Sequence, residues 1–367
     1  MAPRRGFSNI IRHYFSGIDV TLFATVVAIC LFAVFNLYGI GGNDTLVARQ
    51  AIFAGIGIVL MSILSFFNYR YFKNSSSLVL TFYIAAVLFL IMPFFFPSIR
   101  GVQSWVIIGG LTFEPAELMK LILIVLMAKY FSQRHTLIND FRHIIISGAY
   151  CLIPAAITLV QPDLGSAVIM AIIWLGMLMA AGINARHLFA LMVIGLLTTV
   201  AAWLFVLKPY QQVRILSFMN PAEDPRGSGY SLIQSKIAIG NGYIFGNGWQ
   251  NGPQTKNGFL PEPYNDFIFA ATADQFGLLG LVSVSAAILL IVSRILLIGQ
   301  RSVSNFGKLF SVGLVIFIAT HAVISAAVNV GLMPVTGIPF PFLSYGGSSL
   351  ISFMMGIGIV QSIKRYS

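Results

Sequence analysis

Long apolar runs recur along the whole sequence, and this feature limits the possible fold more than any other. A helix needs roughly 20 apolar residues to cross a bilayer, and ten runs approach or exceed that length. They lie at roughly 18–40, 46–67, 77–97, 114–131, 143–160, 164–182, 186–207, 267–292, 309–332 and 342–363. Membrane-spanning β-strands would instead alternate apolar and polar positions. The sequence therefore predicts an all-α polytopic membrane protein, with one membrane domain over residues 1–367.

The composition agrees with a membrane location. Of 367 residues, 57% are hydrophobic and 9% are charged, and the mean hydropathy is +0.88, which is outside the soluble globular range. Cys30 and Cys151 both lie inside apolar runs, which excludes a disulfide framework. The first run is too long for the core of a signal peptide and lacks a cleavage pattern, so we expect it to stay as a helix.

The basic residues predict the orientation of these spans. With both termini cytoplasmic, fourteen of the 22 Lys and Arg residues fall in inside segments, seven fall outside, and Lys120 lies within a span. The inside residues are Arg4, Arg5, Arg12, Arg70, Lys73, Lys129, Arg134, Arg142, Arg186, Arg294, Arg301, Lys308, Lys364 and Arg365. An excess of Lys and Arg in cytoplasmic segments is what the positive-inside rule describes. The net charge of +11 is thus a topology signal, and we expect no nucleic-acid partner.

The acidic residues are distributed in the opposite way. Only Asp19 and Asp140 lie at or beyond the inner boundary, and the other nine are outer-facing or intramembrane. The long loop 208–266 is also on the outer side, and loops of that length are usually functional or disordered. Its segment SLIQSKIAIG is amphipathic and is expected to lie at the membrane interface. Because ionisable groups in or beside hydrocarbon are usually functional, we expect any chemistry on the outer half.

The stretch LPEPYNDFIFA, residues 260–270, places carboxylates directly before the eighth span. One interpretation is structural, because Asn and Asp are favoured N-cap residues and Asn265 or Asp266 would cap that helix. The other is catalytic, because a carboxylate at the membrane surface can take a proton from a hydroxyl group. A helix N-terminus weakens such a base, whereas a low dielectric strengthens it. Asp266 is the candidate general base.

A second constellation occurs in FEPAELMKLIL. Glu117 and Lys120 are three residues apart, so they share one face of a helix and can neutralise each other. They form either a buried ion pair or part of a site for an anionic head group. Trp105, Arg100 and Arg49 lie on the same predicted side, which would give a polar, partly cationic cavity.

Further residues extend this candidate site. Arg214 and Lys256 in the long loop can add phosphate contacts. Asp163 follows a span in QPDLGSA and either belongs to the site or caps the next helix. Asp274 is expected to pair within the helix bundle.

The sequence lacks the common motifs of nucleotide-driven, metal-dependent or serine chemistry. It contains no Walker lysine loop, HExxH, CxxC or GxSxG, and no metal ligands are assigned. A reaction here would therefore take its driving force from an activated substrate.

Several motifs in the sequence resemble those of a known family. YQQVRILSFMNPAEDPRGSGYSLIQSKIAIGNGYIFGNG, LPEPYNDFIFA and NVGLMPVTGIPFPFLSYGGSS resemble the SEDS family (shape, elongation, division and sporulation), and within it the RodA branch. FEPAELMK and QPDLGSA also match, so the resemblance covers nearly the whole chain in order. It implies a ten-span peptidoglycan glycosyltransferase of the bacterial plasma membrane that polymerises lipid II on the outer face, with the catalytic aspartate at Asp266.

The sequence departs from the family pattern on both sides of this aspartate. The family usually has a His-Thr pair before it and a Glu-Glu-Leu-Gly-like run after it. This chain has Tyr264-Asn265 and Asp274-Gln275-Phe276-Gly277 instead. The resemblance therefore carries over the aspartate, but it gives no support for a neighbouring histidine or a second glutamate.

The resemblance also implies the chemistry and the partners. Conversion of an α-linked donor to a β-linked product is an inversion, for which one base suffices. The leaving lipid pyrophosphate needs charge stabilisation by Arg, Lys or a divalent cation. The implied partners are a class B penicillin-binding protein and other proteins of the elongation complex.

Two other functions compete with the enzyme. A lipid II flippase would use the same polar cavity but needs a polar path in both leaflets, whereas the acids lie almost wholly on the outer side. A non-catalytic scaffold of the cell-wall machinery explains the bundle but not a charged outer cavity. The distribution of acids favours the enzyme.

Overall fold

The computed structural model describes residues 17–41, 44–98, 102–109, 111–134, 141–205, 209–219 and 227–367. Several residues used for the predicted topology lie outside these ranges, namely Arg4, Arg5, Arg12, Arg100 and Asp140. The described helices are α1 (Val20–Gly39), α2 (Asp44–Phe66), α3 (Arg70–Asn74), α4 (Ser76–Ile91), α5 (Pro115–Gln133), α6 (Phe141–Val160), α7 (Leu164–Ala180), α8 (Ala185–Phe205), α9 (Pro209–Met219), α10 (Ser228–Asn241), α11 (Pro253–Lys256), α12 (Ile268–Arg301), α13 (Asn305–Val330) and α14 (Gly347–Tyr366). A 3-10 turn, Met92–Phe95, follows α4, and strand β1 (Val106–Ile108) pairs antiparallel with β2 (Leu111–Phe113).

Ten of these helices are long, which confirms the predicted all-α fold. Seven of the ten, α1, α2, α4 (with the 3-10 turn), α6, α8, α12 and α13, are long and apolar enough to cross a membrane. Helix α7 is a shorter apolar helix. Helices α5 and α14 complete the set, and α5 buries three charged residues, Glu117, Lys120 and Lys129. The fold is therefore a polytopic bundle with about ten spans.

The centre of the bundle is formed by α5, α13 and α14, whose residues are mostly buried. By contrast, no residue of α8 is buried. An apolar helix can stay at the edge because lipid is as apolar as a protein core, so helix contacts in membranes depend on close packing. Helix α14 packs along α2, where a Cβ added to Gly358 would lie 2.7 Å from the carbonyl oxygen of Met61. This contact requires a glycine.

A charge cluster around the buried carboxylate of Asp19 joins three helices at one end of the bundle. Asp19 caps α1 by accepting a hydrogen bond from Leu22 N at 2.9 Å. Its carboxylate lies 2.5 Å from Arg294 of α12 and 3.5 Å from Lys364 of α14. The first and last described helices are therefore held together at the end that the basic residues assign to the cytoplasm.

The eighth and tenth predicted spans differ in detail from the observed helices. Helix α12 extends to Arg301, and at Gly277 its backbone is not helical (φ 64°, ψ −159°). A Cβ there would lie 2.4 Å from Gly246 N and 2.5 Å from Ile244 O. Residues 342–346, expected in the last span, are not helical, and α14 begins at Gly347.

The long loop contains helices of its own. Helices α9, α10 and α11 all lie within 208–266. Helix α10, which includes the amphipathic segment SLIQSKIAIG, packs against α12 and α13. Ser235 of α10 donates a hydrogen bond to Asn329 O at 2.7 Å. This part of the loop is therefore docked on the bundle.

Candidate active site

Asp266 lies in a tight turn immediately before α12. Asn265 N and Phe267 N both donate hydrogen bonds to Glu262 O, at 3.2 Å and 3.3 Å. Glu262 has a positive φ of 45°, which reverses the chain sharply between the two prolines that flank it. Asp266 itself is half-buried. The turn therefore leaves its side chain within reach of solvent at the end of a buried helix.

The capping interpretation of this segment is wrong. The N-cap position of α12 is Phe267, which makes no side-chain capping hydrogen bond, and neither Asn265 nor Asp266 occupies that position. Asn265 instead donates from Nδ2 to Glu262 Oε2 at 3.1 Å. Sequence pattern alone misses this because the turn at Glu262 moves the start of the helix beyond the Asn-Asp pair.

Asn329 of α13 fixes the backbone of Asp266. Its Nδ2 donates to Asp266 O at 2.7 Å and to Ser325 O at 2.8 Å, and its Oδ1 accepts from Ala270 N at 2.9 Å. Asn329 is fully buried, so these bonds do not compete with water. The side chain thus ties the turn and the first turn of α12 to α13.

The segment after α13 holds the turn from the other side. Ser344 Oγ donates to Asn265 O at 2.8 Å, and Tyr345 N donates to Tyr264 O at 2.8 Å. Gln50 of α2 in turn donates to Ser344 O at 3.3 Å. The motif Asn329–Ser349 thus acts as a frame for the residues around Asp266.

Tyr264, which stands where the family usually has histidine, has a structural contact. Burial and the neighbouring Glu262 carboxylate raise the pKa of Tyr264, so the phenol remains protonated at neutral pH. Its hydroxyl donates to Gly41 O at 3.3 Å. The residue therefore links the turn to the segment after α1.

The second departure from the family pattern, Asp274-Gln275, anchors the long loop. Asp274 Oδ2 accepts from Gln254 N and Thr255 N, both at 3.0 Å, which satisfies first-turn amides of α11. Asp274 was expected to pair within the bundle, and this expectation was wrong. Gln275 Nε2 donates to Asn36 Oδ1 at 3.1 Å, and its Oε1 accepts from Gln250 N at 3.2 Å.

The break at Gly277 completes this attachment. It frees backbone groups that bind the loop, because Leu278 N and Leu279 N donate to Tyr243 O and Ile244 O at 2.9 Å and 3.1 Å. Gly248 N donates to Gln275 O at 3.1 Å. The loop and the interrupted helix are thus joined by backbone hydrogen bonds.

Glu117 and Lys120 form a buried ion pair in α5. Lys120 Nζ lies 2.7 Å from Glu117 Oε1, and the two side chains are 1% and 3% exposed. His321 of α13, which is fully buried, places Nε2 3.9 Å from Glu117 Oε2. In the described ranges neither of these two atoms has a hydrogen-bond partner.

The opposite nitrogen of His321 defines its tautomer. Nδ1 lies 3.3 Å from Pro339 O, and a carbonyl only accepts, so Nδ1 carries a proton. In the neutral ring Nε2 is then an acceptor facing a carboxylate oxygen, and a proton added at Nε2 would make it a donor. We did not predict His321 from the sequence, although an ionisable residue within a span is itself a signal of function.

Asp163 and Trp105 lie beside the same end of α5. Asp163 Oδ1 accepts from Ser166 N at 3.0 Å and so caps α7. Glu114, at the start of α5, donates from its backbone N to Ser348 Oγ at 2.7 Å. Trp105 is half-buried. Two residues before it, Gln103 N donates a hydrogen bond to Gln161 O at 3.3 Å, which ties this segment to the end of α6.

The predicted cationic residues of the site lie on α2, α9 and α11. Arg49 is exposed near the start of α2, and Lys256 is exposed at the end of α11. Arg214 lies on α9, but its side chain is outside the described set. Among the described residues there is also no group of three or more His, Cys, Asp or Glu side chains arranged to hold a metal ion.

These features define a class: a polytopic helical membrane protein with an aspartate-bearing turn framed at one end of the bundle and a buried ion pair in a central helix. The sequence matches the family FTSW_RODA_SPOVE, described as a cell cycle protein, over residues 13–367. The chain therefore belongs to the FtsW/RodA/SpoVE family.

Curated relatives span almost the full chain. The peptidoglycan glycosyltransferase MrdB of Escherichia coli K12 is 31% identical over 351 residues, which is 95% of this chain and 94% of MrdB. Stage V sporulation protein E of Bacillus subtilis is 36% identical over 324 residues, 87% of each chain. A probable peptidoglycan glycosyltransferase FtsW of Geobacter sulfurreducens is 32% identical over 322 residues, 86% of this chain and 84% of that protein.

Solved structures share the fold. One matching chain has a TM-score of 0.81 and 28% identity, and the match covers 95% of this chain and 98% of that one. Its structure is described as "Structural coordination of polymerization and crosslinking by a peptidoglycan synthase complex". The rod shape determining protein RodA of Thermus thermophilus matches with a TM-score of 0.71 and 25% identity, covering 95% and 97%.

Proposed function

We propose that this chain is a peptidoglycan glycosyltransferase that polymerises lipid II into glycan strands during cell elongation. The observation that carries the proposal is the relationship to MrdB, a protein named for this activity, along 95% of the chain. Membership of the family and the fold shared with RodA support the same conclusion. We assign the chain to cell elongation rather than to division because its sequence resembles the RodA branch of the family.

Asp266 is the proposed general base. The acceptor's 4-hydroxyl attacks the anomeric carbon of the donor, a new glycosidic bond forms, and the bond to the lipid pyrophosphate breaks. Asp266 takes the hydroxyl proton, and the electron pair of the broken bond leaves with the pyrophosphate. Attack opposite the leaving group inverts the anomeric centre, so no covalent sugar intermediate is needed. The frame around Asn265 and Asp266 supports this role, because a base must be held in place.

We propose that substrate binding uses the polar and cationic residues that the sequence indicates. Arg49, Arg214 and Lys256 are proposed to contact the anionic groups of lipid II, and Trp105 and Asp163 its sugar and peptide portion. Glu117 and Lys120 are buried, so we propose that they act as a charge pair beneath the site and contact a phosphate only if the pair opens. A divalent cation is a further candidate for stabilising the leaving pyrophosphate.

The proposed setting is the bacterial plasma membrane, with both termini cytoplasmic and Asp266 on the outer face. The bias of Lys and Arg toward one set of segments supports this orientation. The proposed partners are a class B penicillin-binding protein, which would crosslink the new strands, and other elongation proteins. The relevant observation is the match to a chain of a complex described as coordinating polymerization and crosslinking.

The test uses the purified full chain in liposomes with fluorescently labelled lipid II. Glycan polymer resolved by electrophoresis is the expected product. Movement of lipid II between leaflets without polymer would replace the proposal with a flippase. The absence of both, from folded protein supplied with a partner penicillin-binding protein, would leave a scaffold as the function.

A further inference from the structure

A basic cavity lies at the end of the bundle opposite to Asp266. It has a volume of about 650 Å³ and is lined by Lys73, Asn74, Lys129, Ser132, Gln133, Val303, Ser304, Asn305 and Phe306. These residues belong to α3, the last turn of α5, and the start of α13 with the segment before it. None of these lining residues is acidic.

The cavity concentrates positive charge that the described part of the protein does not neutralise. Lys129 is 4% exposed, and its Nζ donates to the backbone oxygen of Lys73. In the described ranges neither lysine forms an ion pair. Placing two cations together, one of them buried, is costly without an anion.

The start of α13 adds to the positive electrostatic potential in the cavity. Ser304 caps this helix by accepting from Gly307 N at 3.1 Å, and Asn305 and Phe306 occupy its first turn. Amide groups of a first turn have no partner within the helix, and the helix dipole is positive there. Lysine side chains and a helix N-terminus together form a common arrangement for binding phosphate.

The acids of the chain give little competing charge at this end. Of the eleven, only Asp19 and Asp140 are assigned to it by the predicted topology. Asp19 is already bonded to Arg294 and Lys364, and Asp140 lies outside the described residues.

We propose that this cavity binds the phosphate group of an anionic phospholipid in the leaflet at this end of the bundle. The cavity is larger than a phosphate ion requires and falls in the size range of small-molecule sites. It lies at the end of α5 and the start of α13, which the predicted topology assigns to the cytoplasmic side. Basic pockets between helices on the cytoplasmic side are an established means of binding anionic head groups. The site is separate from the proposed transferase site and does not depend on it.

The test measures lipid binding to the purified full chain in detergent by native mass spectrometry. The probes are phosphatidylglycerol, phosphatidylcholine at the same chain length, and inorganic phosphate as a competitor. We expect preferential binding of phosphatidylglycerol. Lys73→Gln should weaken it about five-fold, as expected for one surface charge, and Lys129→Gln about ten-fold or more, as expected for a charged hydrogen bond.

Lys308→Gln is the matched control. Lys308 is an exposed lysine near the same end of α13, but it lines a different cavity, so its removal should leave binding within about two-fold. Lys73 is exposed, so Lys73→Gln remains informative even if Lys129→Gln fails to fold. Equal losses in Lys73→Gln and Lys308→Gln would mean non-specific attraction and would overturn the proposal. Displacement of the lipid by millimolar inorganic phosphate would replace a lipid site with a free-phosphate site.

Discussion

At the scale of single residues, Asn329 is the member of the motif Asn329–Ser349 that bonds directly to the backbone of Asp266. Its amide group bonds to Asp266 O and Ala270 N, which lie on either side of the start of α12. A buried residue with this set of partners holds the backbone on both sides of the start of α12. Asn329 is therefore a positioning residue in the proposed mechanism.

Replacing Asn329 should separate positioning from folding. Asn329→Ala leaves a buried carbonyl and a buried amide unpaired, which we expect to cost about 1–3 kcal/mol of unfolding free energy. Polymerisation should fall mainly through kcat, because Asp266 shifts while the binding residues stay. Asn305→Ala is the control, since Asn305 is on the same helix but exposed. Equal activity in both variants would show that Asn329 does not position Asp266 for catalysis.

The Glu117–Lys120 pair gives a second prediction at this scale. Removal of either side chain leaves the other charge buried and unpaired, which typically costs about 3–5 kcal/mol. Exchange of the two residues (Glu117→Lys with Lys120→Glu) should restore folded protein, as measured by thermal unfolding in detergent. A charge pair with no direct ligand contact would also recover polymerisation. A folded but inactive exchange variant would instead indicate that Lys120 binds phosphate.

At the scale of elements, the interruption of α12 at Gly277 connects the long loop to the bundle. The loop backbone at 243–248 bonds to the amides and carbonyls of residues 275, 278 and 279. A continuous helix would satisfy those groups internally, and the loop backbone at 243–248 would lose these bonds. The proposed site depends on this attachment, because the same loop ends in the turn of Asp266.

Gly277→Ala should therefore be more damaging than a usual helix substitution. The residue has a φ of 64°, and a backbone conformation of this kind costs a non-glycine residue about 1–3 kcal/mol. Contact of the new Cβ with residues 244–246 adds to that cost. Gly195→Ala in α8, where a Cβ meets open space, should be neutral or slightly stabilising. Similar unfolding temperatures for the two variants would contradict the described break.

At the scale of the whole molecule, the predicted orientation determines which end is catalytic. A reporter inserted within 227–260 should be labelled from outside the cell, and reporters after residue 134 or at the C-terminus should be labelled only from inside. The reason is that charged loops rich in Lys and Arg are retained in the cytoplasm. An inside signal from the long loop would place Asp266 on the wrong face for extracellular polymerisation.

The sequence was sufficient for the fold but not for the contacts that organise the site. The number of spans follows from hydropathy, because each helix in a bilayer satisfies its own backbone hydrogen bonds. The Asn329–Asp266 contact joins residues 63 positions apart, and no local pattern encodes it. The break at Gly277 was missed because glycine is common in membrane helices and the apolar run continues across it. His321 was visible as an intramembrane ionisable residue, but nothing in the sequence showed that it faces Glu117.

Asp266 is the proposed base of a lipid II polymerase, and replacing its carboxylate tests this role. Asp266→Asn is the most direct test, because asparagine is nearly isosteric and cannot take the hydroxyl proton. Asparagine also keeps the size of the side chain and one oxygen acceptor, so we expect Asp266→Asn to unfold at a temperature close to that of wild type. Glu262→Gln is the control, because glutamine can still accept the hydrogen bond from Asn265.

The measurement is the initial rate of glycan polymer formation from lipid II by purified Asp266→Asn, compared with wild type and Glu262→Gln. We predict a fall of about 10²–10⁴-fold, the usual contribution of general base catalysis, with folding unchanged and with Glu262→Gln close to wild type. A rate for Asp266→Asn near that of wild type would contradict it, and Asp163 or Glu117 would become the candidate base.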